Sequence, residues 1–211
     1  HTPETSPISS ENHTIDKRFP VQTVLRPQTK THRDYRGYAG RISSGIIRKG
    51  DHVTILPSGF TSKVKSIDTY KETLDEAFAP MSVSVTLEDD IDVSRGDMIV
   101  RNNNKPETTQ DIDVMLCWLN NNIARPRAKY TIKHTTNDQT AMIKEVIYKI
   151  NINTLERERD KKEQNMNDIA KVKIRTTRPL MVDPYRENRI TGSIILTDDT
   201  TNETVAAGMV K

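Results

Sequence analysis

The sequence predicts an all-β chain made of two consecutive β-barrels. Residues 81–87 alternate four apolar with three hydroxyl-bearing side chains, which is the period of a half-buried strand. A basic residue, a glycine and an aspartate precede an apolar run at residues 49–51 and again at residues 95–97. Short strands separated by turns of this kind are typical of closed or sandwiched β-domains.

A polar connector divides the chain. Its 211 residues fit two modest domains or one larger domain, and the connector, residues 102–106, is rich in asparagine and contains a proline. We therefore expect a flexible lead-in at residues 1–16, a first barrel at residues 17–104 and a second barrel at residues 105–211. The lead-in is polar, with prolines and many hydroxyl side chains, as flexible segments are.

The first barrel is expected to contain several short strands. Residues 19–25 form a first strand that ends at a proline, and residues 35–51 form a strand, a tight connection and the start of another strand. Residues 52–56 and 61–67 form a hairpin across a Pro-Ser-Gly turn. The acidic run at residues 88–92 is interpreted as a solvated turn, because a metal site needs more fixed oxygen ligands than one run supplies.

The second barrel is predicted from alternating apolar residues. Residues 154–167 are compatible with a helix but carry almost no apolar face, so a surface loop with a short helical turn is expected. The acidic, threonine-rich residues 198–203 form a hairpin turn. The predicted strands of this half are residues 112–119, 129–134, 145–152, 170–175, 189–197 and 205–210.

Composition limits the classes of function. The net charge of +3 arises from 32 basic and 29 acidic residues, a balance that does not demand a nucleic-acid partner. No apolar run approaches the ~20 residues of a membrane-spanning helix, so no membrane partner is expected. The single cysteine, Cys117, follows an apolar run and is expected to be buried. The lack of paired cysteines favours a reducing compartment.

The sequence contains no recognisable catalytic constellation. It has neither the phosphate-binding G-x-x-x-x-G-K-[ST] loop nor the dinucleotide-binding G-x-G-x-x-G motif. Its five histidines lack the spacing of metal ligands, and Cys117 lacks the context of a nucleophile. We therefore expect no catalytic residue, no metal and no bound cofactor within this chain.

One cluster of basic residues has the pattern of a binding surface. Lys171, Lys173 and Arg175 alternate with apolar residues and so share the solvent face of a strand. Such a strip can receive phosphates or an acidic protein partner, and it can equally be a solvated barrel face balanced by nearby acids. The candidate partner-binding residues are Lys171, Lys173, Arg175, Arg178, Arg186 and Arg189.

Several runs together carry a family resemblance. The first half contains FPVQ at residues 19–22, YRGYAG at 35–40, SGIIRKGD at 44–51 and LEDDIDVSRGDM at 87–98. The second half contains CW, KY, YRENRITGS and TNETVAAGM at residues 117–118, 129–130, 185–193 and 201–209. In combination these runs resemble the large, GTP-binding subunits of bacterial sulfate adenylyltransferases, which are elongation-factor-like GTPases. The resemblance covers residues 17–211.

The resemblance implies a fold and a function. The fold would be two β-barrels like domains two and three of elongation factor Tu, preceded in the family by a GTPase domain that binds GTP and Mg²⁺ and has no counterpart here. The function would be that of a cytoplasmic heterodimeric nucleotidyltransferase, whose small catalytic subunit joins sulfate to ATP while GTP hydrolysis drives the step. The barrels would dock that small subunit and relay the state of the GTPase domain.

The alternative is the aminoacyl-tRNA-binding half of a translation elongation factor. Elongation factors resemble one another in an Arg-Phe-Ala-x-Arg-Glu-Gly-Gly run near the C-terminus. Residues 192–198 read GSIILTD instead, which resembles the sulfate adenylyltransferase subunits. This run favours the first interpretation, in which no nucleic acid is bound.

Overall fold

The computed structural model describes residues 16–27, 34–124 and 127–211. These residues form β-strands and no helix, which confirms the all-β prediction. They therefore include no helix that is long and apolar enough to cross a membrane. The chain divides into two compact units, His1–Lys105 and Pro106–Lys211, whereas the predicted boundary followed Asn104. Residues 1–15 of the predicted flexible lead-in lie outside the described residues.

The first unit is an antiparallel sheet with a small two-stranded addition. Its strands are β1 (Arg18–Pro20), β2 (Thr23–Leu25), β3 (Gly37–Arg41), β4 (Ile46–Arg48), β5 (His52–Leu56), β6 (Thr61–Asp68), β7 (Thr73–Leu74), β8 (Glu76–Phe78), β9 (Ser82–Leu87) and β10 (Met98–Arg101). The strand order is β1-β10-β5-β6-β9-β3-β2, with β7 beside β6, while β4 pairs with β8.

The first sheet curls until its ends meet. The Arg18 N–H donates to the Ser44 carbonyl at 3.1 Å, and the Ser43 N–H donates to the Arg18 carbonyl at 2.9 Å, so β1 reaches the residues that follow β3. A Cβ atom at Gly40 would lie 2.4 Å from the Pro20 carbonyl oxygen. Only glycine therefore allows β1 and β3 to approach so closely. Phe19, fully buried, lies in the core that this curling encloses.

The predicted first strand, residues 19–25, is two strands in the structure. Between β1 and β2, the Val21 N–H donates to the Asp97 carbonyl and the Gln22 N–H donates to the Ala39 carbonyl, both at 2.9 Å. The chain thus pairs with β10 along β1 and then crosses to pair with β3 along β2. Apolar alternation alone did not indicate this change.

The second unit contains a closed ring of six strands. The strands of this unit are β11 (Glu107–Trp118), β12 (Lys129–His134), β13 (Asn137–Ile150), β14 (Arg157–Glu158), β15 (Ile169–Val182), β16 (Ser193–Asp198) and β17 (Thr204–Val210). The ring order is β12-β16-β17-β11-β15-β13, and β13 pairs back onto β12. The short β14 pairs with β13 outside the ring.

Alternation along β11 separates the barrel interior from its surface. Its core residues are the even-numbered ones from Ile112 to Trp118, which are almost fully buried. The odd-numbered Cys117 consequently faces outward and is half-buried, so its predicted burial is wrong. Trp118 packs edge-on against Tyr130, with ring centroids 5.6 Å apart, at one end of this core.

The predicted short helical turn in residues 154–167 is absent. This segment forms turns and contributes β14. The Asp160 to Glu163 stretch is exposed, which agrees with the lack of an apolar face that could pack a helix.

Candidate functional site

Three of the four candidate basic residues in β15, namely Lys171, Lys173 and Arg175, share the outer face of the second barrel, as predicted, but two of them are paired. Nζ of Lys173 lies 3.3 Å from Oδ1 of Asp113, and Nη1 of Arg175 lies 2.6 Å from Oδ2 of Asp111. Both aspartates stand opposite their partners in the β11–β15 register. The strip is therefore a row of ion pairs over much of its length.

Lys171 differs from its two neighbours. It is half-buried between Met115 of β11 and Tyr148 of β13, its register partners. Within the described part of the chain it has no carboxylate partner. The guanidinium carbon of Arg157 lies 4.7 Å from the centre of the Tyr148 ring. Lys171 thus presents a positive charge beside apolar and aromatic side chains.

The other three candidate residues lie away from Lys171. Arg178 is seven positions further along β15, about 23 Å at the rise of an extended strand. Its backbone N–H donates to Oε1 of Gln139 at 2.7 Å. Arg186 and Arg189 are exposed in the loop between β15 and β16. The structure therefore does not gather the six residues into one patch.

The loop that carries Arg186 and Arg189 is held by buried polar contacts. Nε2 of His134 donates to the Thr191 carbonyl at 2.6 Å, and the Thr191 hydroxyl donates to Oδ2 of Asp183 at 2.6 Å. Burial lowers the pKa of His134 below its ordinary value of 6.5, and the Thr191 carbonyl and the Asp183 carboxylate oppose this shift. The imidazole is therefore neutral at neutral pH and holds this loop against the barrel.

The first unit has two cavities that share Tyr35 in their linings, and the sequence did not indicate them. The cavities measure about 540 and 390 Å³. The Tyr35 hydroxyl lies 3.3 Å from Oδ2 of Asp68 and 3.3 Å from Oγ of Ser84. Ser84 and Thr86, which alternation places on the solvent face of β9, are both buried, Ser84 beneath Tyr35 and Thr86 with its hydroxyl 2.6 Å from Oγ of Ser66.

The larger cavity is lined by charges of both signs. Nη1 of Arg36 lies 2.5 Å from Oδ1 of Asp90, and the Ser62 hydroxyl donates to Oδ2 of Asp89 at 2.8 Å. The acidic run that includes Asp89 and Asp90 thus contacts neighbouring strands. No group of three or more histidine, cysteine, aspartate or glutamate residues in the described ranges is placed to hold a metal ion.

A turn at one end of the second barrel displays apolar side chains that sequence patterns did not single out. Ile152 and Leu155, in the segment between β13 and β14, are 63% and 77% exposed. Leu155 has a φ of 60°, in the left-handed region. The sequence offers no signal for this backbone angle, because leucine rarely adopts it.

A family model matches the second unit. Residues 111–211 match the GTP-eEF1A C-terminal domain-like family. This range begins within β11 and includes the rest of the closed barrel.

Relatives match nearly the whole chain. It is 46% identical over 204 residues to the bifunctional enzyme CysN/CysC of Mycobacterium tuberculosis, covering 96% of this chain and 33% of that protein. It is 46% identical over 207 residues to sulfate adenylyltransferase subunit 1 of Bacteroides fragilis, covering 98% of this chain and 42% of that protein. The predicted resemblance is confirmed. The chain spans less than half of the length of each of these two relatives.

Solved structures support the fold. The crystal structure of Sup35 complexed with GMPPNP superposes with a TM-score of 0.82, covering 95% of this chain and 48% of that chain at 17% identity. Identity this low supports the fold alone. The predicted fold of two consecutive β-barrels is therefore confirmed. The translation-factor alternative has less support, because the relative that is 46% identical over 207 residues is a sulfate adenylyltransferase subunit 1.

Proposed function

We propose that this chain is the two-barrel portion of a sulfate adenylyltransferase large subunit and that it docks the small catalytic subunit. The observation that carries the proposal is the 46% identity to sulfate adenylyltransferase subunit 1, which extends over 98% of the chain. Identity over both units, rather than over one, supports a function that uses the two barrels together.

The proposed complex is a cytoplasmic heterodimer that makes adenosine 5′-phosphosulfate. A sulfate oxygen attacks the α-phosphate of ATP, and pyrophosphate leaves. This step is unfavourable, and hydrolysis of GTP in a GTPase domain of the large subunit drives it. GTP and Mg²⁺ would bind in that domain, and the barrels would transmit its nucleotide state to the catalytic subunit.

The construction of the barrels supports a relay between rigid bodies. In the second unit the six-stranded ring closes on itself through the β12–β13 pairing. In the first unit the buried Arg18 guanidinium donates to the carbonyl of Lys17 at 3.0 Å and to that of Asn104 at 2.9 Å. The two places where the chain enters and leaves the first barrel are therefore fixed to each other.

Calorimetric titration tests the docking role. The chain is titrated with the small catalytic subunit from the same organism, and in parallel with aminoacylated tRNA. Binding to the subunit and not to tRNA is the expected result. Binding to tRNA alone would assign the chain to a translation factor, and binding to neither would remove docking from the barrels.

A further inference from the structure

Two loops meet at one end of the second barrel. The end of β11 and the loop before β15 are joined by backbone hydrogen bonds: the Trp118 N–H donates to the Asp168 carbonyl at 2.9 Å, and the Asn167 N–H donates to the Trp118 carbonyl at 2.8 Å. A further bond runs from the Ala124 N–H to the Gln164 carbonyl at 2.9 Å. The segment that follows β13 belongs to this same end, since Ile150 pairs with Ile169.

This end of the barrel displays five large exposed apolar side chains. Single exposed apolar residues are common on protein surfaces, but a group of large ones on adjoining loops is typical of a binding surface. Leu155 is 77% exposed and Ile152 is 63% exposed, and the other three are between 44% and 50% exposed. The group consists of Leu119, Ile123, Ile152, Leu155 and Met166.

Leu155 is unfavourable at this position for two reasons: its backbone is in the left-handed region, and its apolar side chain is exposed to water. Its φ of 60° brings Cβ close to the following carbonyl, a conformation that glycine and asparagine adopt far more readily than leucine. Asparagine or glycine at this position would relieve the strain and remove an exposed apolar side chain. A residue that contradicts both local preferences is expected where a binding function requires it.

The turn that carries Leu155 is closed by hydrogen bonds to Asn151. The Asn151 carbonyl accepts the Leu155 N–H at 2.7 Å, and the Asn151 N–H donates to the Glu156 carbonyl at 2.9 Å. Oδ1 of Asn151 also accepts the Asn153 N–H at 3.0 Å. Ile152 and Leu155 are thus presented in a fixed conformation, so little ordering entropy would be lost when a partner binds.

The charges around this turn indicate a protein partner. Residues 151–168 contain four basic side chains (Arg157, Arg159, Lys161, Lys162) and five acidic ones (Glu156, Glu158, Asp160, Glu163, Asp168), a net charge of 4 − 5 = −1. A phosphate backbone requires an excess of cations. An apolar centre with mixed charges around it is instead complementary to the surface of a protein.

We propose that Ile152 and Leu155 insert into an apolar pocket of the small catalytic subunit, a pocket bordered by charges of both signs. This inference rests on the proposed function, which supplies that subunit as the partner. Lys171 lies toward the same end of the barrel, beside the Tyr148 ring that Arg157 covers, and it would face a carboxylate of the subunit.

The substitution Leu155→Asn separates binding from folding. It should weaken binding of the catalytic subunit by about tenfold or more in calorimetry, as expected for the loss of a buried apolar anchor. The urea midpoint of the second unit, followed by the fluorescence of Trp118, the one tryptophan of the chain, should stay constant or rise. Ile152→Ser provides a second variant without a change at the left-handed position.

Thr135→Asn is the matched control. Thr135 also has a left-handed φ, of 52°, but lies in the β12–β13 turn at the opposite end of the barrel. This variant should raise the urea midpoint and leave the affinity unchanged.

The possible failures are distinguishable. Wild-type affinity in both Leu155→Asn and Ile152→Ser would overturn the assignment of this turn and leave the docking function intact. No binding by the wild-type chain would overturn both. Self-association of the chain that Leu155→Asn abolishes, seen by sedimentation, would assign the turn to a second copy and overturn the proposed partner.

Discussion

The Nζ atom of Lys149 lies 2.6 Å from Oδ2 of Asp168 in the second barrel. Lys149 is buried, and its ammonium group also donates to the Glu163 carbonyl at 3.0 Å. Burial of the Asp168 carboxyl raises its pKa, but hydrogen bonds from Lys149 and from the Asn165 N–H outweigh burial, so the pKa of Asp168 is lowered. The pair joins the end of β13 to the loop before β15.

Asp168→Asn should destabilise the second unit by about 2 kcal/mol, because it leaves a buried ammonium without its counter-charge. The loss is smaller than for a fully buried pair, since the Asp168 side chain is 27% exposed. Urea unfolding followed by Trp118 fluorescence measures it. Lys161→Gln, which removes the largely exposed pair with Glu158, should leave the midpoint unchanged. Equal midpoints for the two variants would contradict the stabilising role of Lys149–Asp168.

The stability of the second unit should fall as the pH is lowered below about 6.5. The pKa of His134 is lowered in the folded state, so the unfolded chain binds the proton first. The contribution of His134 to the free energy of unfolding is complete above the pKa that this residue has in the unfolded chain. It is lost as the pH falls from there toward the pKa in the folded state, with a limiting slope of about 1.4 kcal/mol per pH unit. Urea unfolding at a series of pH values between 7.5 and 5, roughly the range in which histidine titrates, measures this slope.

His134 is the one histidine in residues 106–211, so the pH dependence can be assigned. His134→Gln should lower the stability at neutral pH and flatten its dependence between pH 6.5 and 5, roughly the same range. A slope that persists in this variant would show that another group titrates there.

Gly40→Ala should disrupt the closure of the first sheet. The added Cβ would lie 2.4 Å from the Pro20 carbonyl oxygen, which is backbone and cannot move aside cheaply. We expect a loss of about 3 kcal/mol and faster hydrogen exchange in β1 and β3. Gly59→Ala meets nothing within 4 Å but has a φ of +83°, and so should lose only about 1 kcal/mol. Similar exchange rates in the two variants would contradict the steric explanation.

Among Lys171, Lys173 and Arg175 of β15, Lys171 should contribute most to binding of the catalytic subunit. Lys171→Glu is expected to reduce the affinity about fivefold, whereas Lys173→Glu acts mainly by breaking its pair with Asp113. Calorimetry of each variant measures the difference. Unchanged affinity when Lys171, Lys173 and Arg175 are all replaced by glutamate would remove this strip from the interface.

Strands with a single clear period could be predicted from the sequence. The predicted range 129–134 coincides with β12, because its apolar residues alternate without interruption. β13 is longer than predicted, since bulges between Ile143 and Glu145 and between Val146 and Tyr148 interrupt its alternation. β15 is also longer than predicted, and its pairing with β11 is interrupted between Arg175 and Leu180.

Contacts between distant residues could not be predicted. Arg18 donates to the Asn104 carbonyl across 86 positions, and no local pattern indicates this. Ser84 is buried because Tyr35, 49 positions away, covers it. The basic strip was correctly placed on one face of a strand, but the aspartates that neutralise it come from β11. The left-handed conformation of Leu155 accompanies hydrogen bonds to Asn151, and the backbone preference of leucine does not predict it.

The closed ring of the second unit determines how this unit can be recognised. Every strand of the six-membered ring is paired on both sides over part of its length, and one-sided stretches remain at residues 107–112 of β11 and beside the two-residue β14. Along the doubly paired stretches an incoming chain cannot extend the sheet by adding a strand. Recognition of these stretches has to use side chains instead, and its specificity can then be altered by single substitutions on the loops and outer face without unravelling the barrel.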